Sequence, residues 1–154
     1  MLGYTRILCA LDFDEHSTLI FLLAAALAKE SNATLCVLHI ARVPTPDMDV
    51  PSSFDADPRW EREARLRLED IIRRHVEEGL CYEIHVKSGL PDVDIVREAT
   101  RSGVDLIVIA THGRRGFSHL VLGSVTEHVI RDATCPVLVV WPPKPSHTVA
   151  TSSM

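Results

Sequence analysis

The sequence predicts an α/β fold: a doubly wound, five-stranded parallel sheet in the order 3-2-1-4-5, with helices on both faces. Three observations carry this. Five short apolar runs alternate with longer helix-like runs, giving the order β-α-β-loop-α-β-α-β-α-β. The apolar runs lack strict alternation, as strands covered on both faces do. Right-handed crossovers between parallel strands then leave few topologies.

Each element has its own local reason. "RILCALD" (6–12) is apolar, compact and ends in a carboxylate, so it reads as the first strand. "DEHSTLIFLLAAALAKESN" (14–32) reads as a helix, rich in Ala and Leu, with Asp14 or Ser17 as its cap. "ATLCVLHIARV" (33–43) is the second strand. "PTPDMDVPSSFDADP" (44–58), with four prolines and four aspartates, is too broken for regular structure and reads as a long surface loop, a candidate lid. "RWEREARLRLEDIIRRHVEEG" (59–79) is a charged amphipathic helix with Trp60, Ala64, Leu68, Ile71, Ile72 and His75 near one face and Gly79 as its stop. "CYEIHVKSG" (81–89) is the third strand, with partial alternation. "PDVDIVREATRSG" (91–103) has proline at the start of a helix and glycine at its end. "VDLIVIA" (104–110) and "PVLVVW" (136–141) are the last two strands, separated by a glycine-rich stretch and the helix "SVTEHVIRD".

Composition bounds the function. The chain has 154 residues, enough for one domain with a substantial core. Apolar residues make up 46% and charged residues 24%, a globular balance, and the net charge of -5 argues against a nucleic-acid binder. No apolar run approaches the ~20 residues of a membrane span. The opening "MLGYTRILCALD" has no signal-peptide regions, so the cytoplasm is expected. Cys9, Cys36, Cys81 and Cys135 form no C-x-x-C pair and read as small core residues. Eight histidines show no metal-ligand spacing, so no metal site is expected from the protein alone.

In this strand order, strands 1 and 4 are neighbours whose connections leave in opposite directions. Open α/β sheets bind ligands at such a switch point. Asp12 stands at the carboxyl end of strand 1, and strand 4 runs into "ATHGRRGFSHLVLGSVTEHVIRD" (110–132). Gly113 and Gly116 allow tight bends and close ligand approach. Gly123 and Ser124 open a helix whose first turn, with Val125 and Thr126, offers amides and hydroxyls to a phosphate, while Arg114 adds charge. A second reading stays open beside this one: Ser124 and Glu127 form S-x-x-E, a capping box that closes the helix start without a ligand. Asp12 likewise either accepts a hydrogen bond from a nucleoside or caps the next helix.

These residues carry a resemblance. "ILCALDFDEHS", "LCVLHIARV", "SGLPDVDIVREA" and above all "DLIVIATHGRRGFSHLVLGSVTEHVIRDATCPVLVV" make the chain similar to the universal stress protein family from about Arg6 to Trp141. Nucleotide-binding members carry G-x2-G-x9-G-[ST]. Gly113, Gly123 and Ser124 match it, and Ala110 stands at the first glycine. The resemblance implies a Rossmann-like fold of the adenine nucleotide alpha hydrolase-like type, in one domain over 1–142; the composition of the end of the chain (143–154) reads as a disordered tail. The resemblance implies ATP or a related adenine nucleotide, with Asp12 on the nucleoside, Ile40 beside the adenine, Gly113, Gly123 and Ser124 on phosphates, and Mg2+ near Ser124. It also implies a stress-response regulatory module and a homodimer through the last strand, Val137–Trp141, a short apolar edge that pairing would protect.

Other activities fit less well. "LDFDEHS" is not the S-G-G-x-D-S type of loop used by adenylating relatives of this topology. A receiver domain needs an Asp ending strand 3 and a Lys ending strand 5, which "CYEIHVKSG" and "PVLVVWPP" do not supply. No nucleophile elbow or acid–base pair with motif spacing is visible, so the expected role is binding rather than catalysis. The alternatives are a nucleotide-independent dimeric interaction module and a slow ATPase using His112 and Arg114.

Overall fold

The computed structural model describes residues 3–42, 58–111 and 122–141. The expected Pro/Asp loop, apart from Pro58, and the C-terminal tail lie outside these residues. The elements are β1 (Arg6–Ala10), α1 (Ser17–Ser31), β2 (Thr34–Arg42), α2 (Pro58–His75), β3 (Tyr82–Gly89), α3 (Pro91–Arg101), β4 (Leu106–Ala110), α4 (Ser124–Asp132) and β5 (Val137–Val140). The strands form one sheet in the order β3-β2-β1-β4-β5, the predicted topology, and every pair is parallel.

Alternation within the continuous apolar runs sorts side chains onto two faces. Ile7, Cys9, Leu35, Val37 and Val108 pack with Ile20, Phe21 and Ala24 of α1 and with Ala64, Leu68 and Ile72 of α2. Leu8, Cys36, Leu38, Ile107 and Ile109 pack with Ile95 and Ala99 of α3 and Val129 of α4. The core is therefore two apolar layers divided by the sheet. Phe21 and Leu68 are fully buried, each contributing about 1.5–3 kcal/mol relative to exposure.

Helix ends explain several boundaries. At α1, His16 is the N-cap and makes no side-chain cap bond, so neither Asp14 nor Ser17 caps the helix as expected; the Asp14 carboxylate instead shapes the turn before it, accepting the His16 amide (2.9 Å) and the Ser17 hydroxyl (3.3 Å). Asn32 ends α1 in the left-handed conformation (φ 55°). The charged helix α2 stops at His75, before the predicted Gly79. Gly79 instead turns with φ 87° ahead of β3. Cys9 and Cys36 are buried as expected, but Cys81 is exposed and Cys135 half-buried. Position 81 falls just before edge strand β3, which only β2 flanks, with the Leu35 amide donating to Cys81 O (2.9 Å).

Asp105 ties the starts of β1 and β4 together. Its carboxylate accepts the Thr5 amide (2.8 Å), the Thr5 hydroxyl (2.7 Å) and the Arg6 amide (3.1 Å), while its own amide donates to Arg6 O (2.9 Å). Partial burial pushes its pKa up, but the donors from Thr5 and Arg6 outweigh burial and hold it below the usual carboxylate value. A depressed folded pKa stabilises the fold above the unfolded carboxyl value, about 3.9, and that stabilisation disappears as pH falls through the folded value. Asp105→Ala should cost about 1–2 kcal/mol at neutral pH. In urea titrations at a series of pH values, its deficit should shrink on the acid side. A constant deficit at all pH values would contradict this role.

Candidate functional site

The candidate site lies at the carboxyl ends of β1 and β4, which pair directly at Ile7↔Leu106, Leu8↔Ile107 and Cys9↔Val108. Beyond Ala10 the chain keeps close to the sheet, because the Leu11 amide donates to Leu38 O (2.9 Å). His39 Nδ1 lies 2.8 Å from Leu11 O, and a carbonyl only accepts, so Nδ1 carries the proton. The chain then turns sharply. Phe13 has φ 63°, an uncommon conformation for a non-glycine residue. Its ring lies 4.2 Å from the His39 ring, and the Arg67 guanidinium of α2 lies 4.2 Å over it.

The turn places Asp12 at the crevice mouth, where its Oδ1 accepts the Asp14 amide (3.2 Å). Partial burial, reinforced by the neighbouring Asp14 carboxylate, raises the Asp12 pKa above its ordinary value. Ile40 is buried at 8% exposure near the end of β2 and packs in the layer formed by α3 and α4. A cleft of about 420 Å³ shares Phe13 and Asp14 with this turn but opens between α1 and α2, lined also by Ser17, Thr18, Arg67 and Asp70. Among the described residues, its lining includes none selected by the glycine pattern.

The start of α4 corrects one expectation. The helix begins at Ser124, so Gly123 is the N-cap (φ -62°, ψ 149°), and among the described residues no side chain caps it. The capping box needs its serine one position earlier, so Ser124 and Glu127 do not form it. The cause is tertiary. The Gly123 amide donates to Thr111 O (2.7 Å), and Gly123 O accepts the Glu127 amide (2.9 Å), which sets the helical register. The amides of Ser124, Val125 and Thr126 precede that first helical bond. Ser124 is exposed. Thr126 is 3% exposed, and its hydroxyl donates to Ala110 O (2.7 Å), so that proton serves the fold. Val125 packs against the α3/α4 layer.

The structure thus brings Asp12, Ala110, Gly123 and Ser124 to one edge of the sheet. Gly113, Arg114 and Gly116, together with His112, lie outside the described residues. Sequence reasoning missed Phe13 and His39, which fix the turn carrying Asp12. A phenylalanine with positive φ leaves no mark in hydrophobic pattern or spacing.

The profile of the universal stress protein family matches residues 3–140. The chain belongs to the universal stress protein family. It is 34% identical to universal stress protein YxiE of Bacillus subtilis over 146 residues, covering 89% of this chain and 99% of that one. It is 33% identical to universal stress protein A homolog 1 of Coxiella burnetii, covering 90% and 96% respectively. The solved structure of MJ0577, a universal stress protein of Methanocaldococcus jannaschii, superposes with a TM-score of 0.79 at 27% identity, covering 94% of this chain and all of that one. A universal stress protein solved in complex with cAMP shares the fold, with a TM-score of 0.63 at 20% identity over 90% of this chain and 98% of that one.

The two hydroxyls at the start of α4 should separate on mutation. Thr126→Val removes this donor from the half-buried Ala110 carbonyl and should cost about 1–3 kcal/mol. Ser124→Ala removes no cap and should change stability by less than about 0.5 kcal/mol. Urea denaturation of both variants checks this. A large loss in Ser124→Ala would restore the capping reading.

Proposed function

We propose that this universal stress protein binds an adenine nucleotide, ATP by preference, in the crevice between the ends of β1 and β4. The observation that carries the reading is the uncapped start of α4 opposite Asp12. Three first-turn amides and an exposed Ser124 hydroxyl surround the positive end of a helix dipole, an arrangement suited to phosphate oxygens. Asp12 accepts a hydrogen bond from the nucleoside, and Ile40 offers apolar surface beside the base. Gly113, Arg114 and Gly116 complete the phosphate side. A hard cation such as Mg2+ takes oxygen ligands, and the Ser124 hydroxyl is the protein oxygen suited to it. The cAMP complex of a relative with this fold agrees with an adenine ligand.

The role is regulatory binding rather than turnover, and the working unit is a homodimer joined through β5. This strand ends the sheet and is apolar along its length, with Leu138 37% exposed and Trp141, just after it, 52% exposed. An open apolar edge of this kind favours pairing with its own copy.

Calorimetry with MgATP tests the ligand. Wild type should bind, and Gly123→Val should lose at least about tenfold in affinity, or roughly 1.4 kcal/mol. Valine tolerates the extended backbone of Gly123, so the variant tests clearance rather than strain. Absence of heat with wild type, or equal affinity in both proteins, would remove the nucleotide reading. Sedimentation tests the dimer: Leu138→Asp should shift the protein to monomer, and an unchanged mass would place the interface elsewhere.

A further inference from the structure

Edge strand β3 carries a second cluster, away from the crevice. Ile84 and Val86 pack toward α1 and α2, so alternation turns Glu83, His85 and Lys87 to the opposite face, the side of α3. Cys36 of β2 is the direct cross-strand partner of Glu83. Its thiol lies 3.8 Å from Glu83 Oε2, and His85 Nε2 lies 3.2 Å from the same oxygen. The sulfur, nitrogen and oxygen all fall within 4.8 Å of one another.

We propose that Cys36, Glu83 and His85 form a binding site for a thiophilic divalent cation, with Zn2+ the ion that fits best. The donor set of thiolate, imidazole and carboxylate selects Zn2+ over Mg2+ or Ca2+. The two separations from Glu83 Oε2 fit as well. Tetrahedral zinc, with bonds of about 2.3 Å to sulfur and about 2.0 Å to nitrogen and oxygen, holds sulfur and oxygen about 3.5 Å apart and nitrogen and oxygen about 3.3 Å apart. Glu83 and His85 are partly exposed, which leaves a fourth position for water and a route of entry.

The surroundings of His85 give an independent argument. Its Nδ1 lies 3.2 Å from Glu98 Oε1, and the Glu98 side chain is only 3% exposed. Arg101 (2.8 Å), the Ser102 hydroxyl (2.9 Å) and Lys87 hold that carboxylate in place. A neutral imidazole donates from one nitrogen only. With Nδ1–H on Glu98, the Nε2 lone pair faces the Glu83 carboxylate, an arrangement satisfied by a second proton or by a cation between them. A buried carboxylate on the non-ligating nitrogen is the usual support of a zinc-bound histidine.

Arg6 competes for the same place. Its Nη2 lies 2.8 Å from Glu83 Oε2 and 3.2 Å from Cys36 Sγ, so a cationic group already sits against two of the three donors. Its Nε is buried and has no hydrogen-bond partner. Zinc entry displaces the Arg6 head toward solvent, which its side chain reaches at 29% exposure. The Cys36 proton leaves to solvent as the thiolate bonds the metal.

Tag-free full-length protein, stripped with chelator and freed of nucleotide, would be titrated with Co2+ and then Zn2+. One equivalent of Co2+ should give a thiolate-to-cobalt charge-transfer band with the intense visible bands of a tetrahedral site, and Zn2+ should abolish both. Cys36→Ser should lose the charge-transfer band. Glu98→Gln should keep the band but weaken Zn2+ by about 10–100-fold in competition with a chromogenic chelator. Arg6→Gln should tighten it. A wild-type cobalt spectrum without the sulfur band overturns the proposal and needs no variant to fold. Equal Zn2+ affinity in wild type and Cys36→Ser, with melting curves showing both folded, overturns it as well.

Discussion

The parallel pairing of β1 with β4 at the centre of the sheet is the constraint on which the rest depends. Both strands are buried on two faces, so neither can shift register without exposing a layer of the core. Because they are neighbours, the chain leaves β1 toward α1 on one face and leaves β4 toward α4 on the other. The gap between the two departures is the crevice, and its residues are whatever the sequence places at these strand ends. Asp12 and Ala110 follow from that directly.

The helices beginning beside this crevice start differently. At α1, Asp14 satisfies an amide and a hydroxyl from its own turn. At α4, the strand end holds the helix through Gly123 N–H to Thr111 O and Thr126 O–H to Ala110 O, and among the described residues no side chain caps the first turn. These tertiary bonds fix the position of α4 and leave its dipole end facing the crevice. Neither helix has a side-chain cap bond; α1 starts from bonds within its own turn, while α4 is also tied to the end of β4 by two tertiary bonds.

The two sheet edges follow opposite strategies. β3 turns Glu83, His85 and Lys87 to one side, and these charges discourage pairing with another strand. Their partners on α3 form a network around Glu98, where burial raises the pKa but donors from Arg101, Lys87 and Ser102 outweigh it and bring it to about 2. β5 is short and apolar and carries no charged side chain of its own. The same sheet therefore ends in a polar edge at β3 and an apolar edge at β5.

Periodicity and composition were sufficient for the five strands, the four helices and their order, because continuous apolar runs between amphipathic ones allow few arrangements of a parallel sheet. The G-x9-G-S spacing also marked the start of α4 as unusual. The sequence could not decide whether Ser124 caps that helix. S-x-x-E is compatible with two registers, and the bonds from Gly123 to Thr111 and Glu127 choose between them. Nor could it reveal Cys36, Glu83 and His85 as neighbours, since their proximity comes from the β2–β3 register across 47 residues of chain. Local pattern determined which elements form and in what order. Strand register and helix docking, which act between residues far apart in sequence, decided which polar groups face one another.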